Sequence, residues 1–147
     1  MRKILVILMV SGFLFSCVKK EEVKAEAKKE TSEKKDFKMY EMSEMSVLME
    51  QMYVDNQRLK ERIKNGDTIG QFPQHFLLIH KAVMTDDKEN DAFFKEQAAK
   101  FIKAQELIYE DPKNAKEHFN NGVDACLRCH EVKCGGPIPR IKKLYIN

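Results

Sequence analysis

FNNGVDACLRCHEVK, residues 119–133, is the stretch on which the fold turns. Phe119, Val123, Cys126 and His130 recur at spacings of four, three and four, which places them along one face of an α-helix. Upstream, Ala115 extends the same face, and Asp111-Pro112 supplies an acidic cap followed by proline at the first helical position. Downstream, paired glycines and two prolines in CGGPIPR, residues 134–140, stop the helix.

Within that helix Cys126-Leu127-Arg128-Cys129-His130 has the Cys-x-x-Cys-His pattern through which a c-type haem is attached. Two thiols at this spacing add across the two vinyl groups of one porphyrin, and the imidazole that follows is carried beneath the iron. Cys126, Cys129 and His130 lie at i, i+3 and i+4, so one helix face holds all three. Zinc is an alternative, with Cys126, Cys129, His130 and Cys134 as donors, and a dithiol redox pair is another. Structural zinc sites usually draw on two separated knuckles, whereas these four donors fall within nine residues of one helix-like segment.

The beginning of the chain agrees with haem. Residues 1–16 read as a secretory lipoprotein signal, with Arg2 and Lys3 before the apolar run Ile4 to Val10. Leu14-Phe15-Ser16-Cys17 resembles a bacterial lipoprotein processing box, in which Cys17 would be lipidated, although Phe15 is bulkier than the usual residue there. The alternatives are a cytoplasmic chain with an apolar leader or a leader retained as a short anchor; the run falls short of the ~20 residues of a spanning helix. In bacteria covalent haem attachment takes place outside the inner membrane, so export and the attachment pattern reinforce each other. The expected location is the periplasmic side of a bacterial membrane, anchored by lipid on Cys17. Cys134 is then left over, as a free thiol or an intermolecular bridge.

Residues 17–37 carry balanced charge, as in Lys19-Lys20-Glu21-Glu22, and almost no apolar content, which reads as a solvated tether. The net charge of +3 argues against a nucleic-acid partner. Residues 38–147 are expected to form one domain. Its first segment places Met42, Met45, Met49, Met52, Leu59 and Ile63 on one helical face and ends near Asn65-Gly66. A second runs from about Phe72 to Met84, with Pro73 in its first turn. A third runs from about Lys88 to Tyr109, and the fourth carries the haem motif. The expected fold is all-α, an antiparallel up-down-up-down four-helix bundle with one covalent haem c near the end of the last helix.

This arrangement resembles the cytochrome c prime family, four helices with Cys-x-x-Cys-His near the end of the fourth. The likeness spans about Lys38 to Lys133, and its sharp part is Phe119 to Lys133. It implies that His130 is the proximal iron ligand, that Cys126 and Cys129 are the thioether anchors, and that the distal position is supplied by the first helix. Lys133 falls where that family often has a basic residue beside the imidazole; the other reading is a lysine complementing the helix dipole.

Matching the apolar rhythm puts Met49 nearest the distal position, with Met45 and Met52 one turn to either side. A methionine stripe also serves as pliable core. A methionine ligand would favour electron transfer, and an apolar residue would leave the iron five-coordinate. His75, His80 and His118 compete for the sixth position. The tail is expected to lie extended over the haem edge, with Ile138 and Ile141 against porphyrin and Arg140 or Lys142 near a propionate; a loose basic terminus is the alternative. The sequence thus reads as a monohaem electron carrier that meets a redox partner protein. A module binding nitric oxide or carbon monoxide is the second reading. No distal acid or base nominates an enzyme, and a partly exposed methionine face suits a homodimer.

Overall fold

Ser43 starts the first helix, α1, Glu44–Asn65, by turning extended and accepting a hydrogen bond on its Oγ from the Ser46 N–H at 3.2 Å. This computed structural model describes residues 41–147, so the signal segment, Cys17 and the charged linker lie outside the described residues. α1 stops at Gly66, whose φ of 70° is the left-handed conformation that suits glycine. There the Gly66 and Asp67 N–H groups donate to the Ile63 and Arg62 carbonyls.

The segment expected as a second α-helix is a seven-residue 3-10 helix, Gln74–His80, inside a longer crossover. Phe76 and Ile79 are its buried residues, one above the other at a spacing of three, while Leu77 and Leu78 face solvent. That pattern suits three residues per turn, and so short a segment cannot form an α-helix unaided. The crossover ends on the first turn of α1: Val83 accepts from the Met45 N–H at 3.0 Å and its own N–H donates to Glu44 Oε2 at 3.0 Å. One of the donors that a helix start leaves free is thereby satisfied.

Asp91 caps α2, Ala92–Glu110, accepting from the Phe94 N–H at 2.8 Å. Pro112–Asn114 form a 3-10 turn that runs directly into α3, Ala115–Lys133. α2 and α3 make the closest pairing, and Gly122 is where they press together. A Cβ at Gly122 would meet Gln105 Nε2 at 3.2 Å and the Ala104 methyl at 3.7 Å.

The tail packs, but as a helix rather than an extended strand: α4, Ile138–Lys142, has proline at its start and a left-over turn behind it. Ile141, Leu144 and Ile146 are buried, each contributing about 1.5–3 kcal/mol of apolar burial. Asn120 holds the chain end twice, donating to the Ile146 carbonyl and accepting its N–H, both at 3.0 Å. Hydrophobic burial thus outweighed the helix-breaking composition, which only prevented α3 from continuing.

The described residues are all-helical, with four α-helices packed together and no strand among them. One apolar cluster gathers Met45, Met52, Phe76, Phe94 and Phe101, and another Leu59, Ile108, Phe119, Val123 and Leu144; Cys126 packs against both. Met42, counted on the apolar face of the first segment, lies ahead of the helix and is exposed. With Met45 and Met52 buried and Met49 half-buried, the methionine face turns inward. No helix among the described residues is long and apolar enough to cross a membrane. Phe119 is fully enclosed, so Phe119→Ala is expected to cost about 3–5 kcal/mol in urea unfolding; a loss below about 1 kcal/mol would contradict the packing.

Candidate functional site

Helical spacing brings Cys126, Cys129 and His130 to one side of α3, and the packing of α1 and α2 encloses that side. Three cavities meet there, of about 60, 230 and 30 Å³. Met49 and His130 line all three. Met52 lines the first and third, and Met45 only the second. The expected thioether anchors, proximal imidazole and Met49 therefore share the mostly apolar linings of these cavities.

His130 is oriented by a backbone carbonyl. Its Nδ1 lies 3.1 Å from the Cys134 carbonyl oxygen, which can only accept, so Nδ1 carries the proton and donates. The Nε2 lone pair is left for a metal, and the carbonyl fixes the ring as outer partners of ligating histidines do. Burial lowers the imidazole pKa and so favours the neutral ring, against the opposing pull of the Cys134 carbonyl. The Cys134 thiol also approaches Nδ1, at 3.2 Å.

The cysteines are enclosed rather than activated. Burial pushes the Cys126 thiol up to about 12, with Cys129 adding to it. Cys129 is raised to about 11, again chiefly by burial and then by Cys134. A dithiol redox pair needs a depressed thiol pKa, so this environment speaks against that alternative. All three cysteines of the described residues are free, and no three His, Cys, Asp or Glu side chains among those residues gather as a metal cage.

The competing histidines lie away from the site. His75 pairs with Asp55 at 2.9 Å, His118 with Asp111 at 3.1 Å, and His80 is exposed; none lines a cavity shared with His130. Lys133 lies in the last turn of α3 and borders the second cavity with His130, as the two sequence readings have it, and its ammonium also reaches back to Glu89 at 2.8 Å and Asp91 at 2.5 Å. These contacts raise its pKa to about 12, Asp91 contributing first. The Asp91 carboxyl is lowered, by Lys133 first and then by the Phe94 N–H.

A raised lysine stabilises the fold fully below its unfolded pKa and loses that contribution as pH climbs past the folded value. The depressed aspartate does so above its unfolded pKa and loses it as pH falls through the folded one. The latch is therefore complete between about pH 4 and pH 10. Lys133→Met should lower the urea midpoint across that window, with the deficit shrinking in acid; a deficit independent of pH would rule the latch out.

The tail reaches the site. Pro137, Arg140, Ile141 and Leu144 line the first cavity beside Cys126 and His130. Arg140 grips Glu50 with two bonds, at 2.7 and 2.9 Å, and lies over the Tyr53 ring at 4.3 Å. Ile138 is not part of that lining, and Lys142 is exposed.

Several residues were missed in the sequence. Met84 enters the second cavity from the crossover, and Asn56 enters the first from α1. Asn56 donates to the Met52 carbonyl and accepts from Gln105, both at 2.8 Å. Asn56, Gln97 and Gln105 are all buried, and each sits on the apolar face of its helix. A polar residue interrupting an apolar helical stripe was the available signal. No protein-family model matches this chain, and neither a curated protein nor a solved structure matches it.

Proposed function

We propose that this chain is a monohaem c-type cytochrome, an electron carrier tethered by lipid on Cys17 to the periplasmic side of a bacterial membrane. The observation that carries the reading is the place of His130: Nδ1 satisfied by the Cys134 carbonyl, and the ring bordering three cavities that Met49 also borders. The residues fit the group. Cys126 and Cys129 would hold it through thioethers, His130 and Met49 would bracket the metal, and the apolar walls would exclude water. When bound, haem supplies a one-electron couple at iron.

The chain's own part is to hold the donors still. Cys134 orients the proximal ring, Met49 is carried on the capped helix α1, and Arg140 with Ile141 closes the first cavity. Arg140, which borders the first cavity, would be available to a propionate in exchange for Glu50. The antiparallel up-down-up-down bundle belongs to the same proposal. Met45 and Met49, early in α1, share cavities with residues late in α3, whereas Leu59, late in α1, packs with Ala115 and Phe119 at the start of α3. The crossover with its 3-10 helix takes the place of the second limb.

A redox partner protein is part of this proposal, and a homodimer is compatible with it. The gas-binding alternative draws on Met49 being only half-buried, since a distal side chain held loosely would yield the sixth position to a small ligand. The ferric spectrum of the purified holoprotein decides between them. Low-spin six-coordinate haem with slow carbon monoxide uptake is expected, and a high-spin five-coordinate ferric haem would overturn the carrier reading.

A further inference from the structure

We propose that Gln97 sets the reduction potential at this site, an inference that rests on the haem reading above. The smallest of the three cavities, about 30 Å³, is walled by Met49, Phe94, Phe101, Cys126 and their neighbours. Gln97 and His130 are the residues of its lining that bring a side-chain nitrogen or oxygen. Gln97 is 4 % exposed, and its Oε1 is enclosed with no hydrogen-bond partner. Buried polar atoms are nearly always paired, so an orphan beside a candidate ligand calls for a role.

Orientation supplies one. Gln97 also borders an outer groove between α2 and α3, with Lys100 and Arg128 on its walls. The enclosed atom of the amide is the oxygen, and in the proposed arrangement this negative end of the dipole is the end that faces the site. In surroundings this apolar a fixed dipole acts strongly on a nearby charge. Oxidation adds one positive charge at iron, and an inward carbonyl oxygen favours that state. Gln97 therefore lowers the potential, and its position on α2, held by the Asp91 cap and the pairing with α3, keeps the dipole aimed.

Spectroelectrochemical titration of the holoprotein, covalent haem first confirmed by mass, tests the assignment. Gln97→Met keeps the shape and removes the dipole. It should raise the reduced-to-oxidised ratio at fixed ambient potential about tenfold, a shift of about 59 mV for one electron. Gln97→Glu should make the potential fall as pH rises, because ionisation there strengthens the negative end. If Gln97→Met destabilises the fold, Gln97→Leu must give the same upward shift. An unchanged potential, or a shift of one sign for both apolar and acidic variants, overturns the role of Gln97. Failure of the natural chain to take covalent haem would instead overturn the proposed function.

Discussion

Replacing both Cys126 and Cys129 by serine should abolish covalent haem completely, while the natural chain expressed with a haem-attachment system gains the mass of one haem. Either single variant keeps one possible thioether. The expectation is all-or-none for the double variant because no other thiol stands in the same relation to His130. Cys134 follows the imidazole instead of preceding it, sits past the end of α3 and is exposed, and its backbone carbonyl is already the partner of Nδ1. The i, i+3, i+4 geometry of an α-helix is what lets two sulfurs and one nitrogen serve one porphyrin. Intact mass after denaturation and acid extraction of haem is the measurement. Covalent haem persisting in the double variant would refute the assignment, and no haem on the natural chain would remove the basis of the functional proposal.

Met49→Ala carries the second large effect. Loss of the thioether should turn low-spin ferric haem high-spin and speed carbon monoxide binding, since the sixth position is then vacated. Met52→Ala provides the contrast. Met52 is 4 % exposed and belongs to the first apolar cluster, so truncating it should cost about 2–5 kcal/mol in unfolding while leaving the spectrum unchanged. Met49 is less buried and touches all three cavities beside His130, so its substitution should affect coordination more than stability. A Met49→Ala holoprotein with the natural spectrum would transfer the ligand role to Met45, Met52 or Met84.

Much of the helical framework could be read in advance. Gly66 ends α1 as the Asn65-Gly66 pair suggested, Pro112 opens the turn that runs into α3 although the Asp111 carboxylate takes the Asn114 and His118 side chains instead of capping the helix, and the Gly/Pro run stops α3 at Lys133. These are local effects of capping and backbone restriction, each decided within a few residues. Periodicity also put Met49 on the inward side of α1. It failed for residues 72–84, where a short apolar run served a 3-10 turn as well as an α-helix, and for the tail, where local helix breakers concealed a short helix driven by burial.

The site divides along the same line. The chain's own order of residues determined that Cys126, Cys129 and His130 share a face, because helical spacing alone requires it. Only the tertiary structure decided that Cys134 would orient His130, that Lys133 would be claimed by Glu89 and Asp91, that Arg140 would close a cavity wall with Glu50, and that Gln97 would be shut in without a partner. Apart from the turn at Cys134, these pairings join residues far apart in the chain or depend on which side of a helix is buried. Periodicity identifies a face; packing selects what the face meets, because burial energy is summed over all the helices at once.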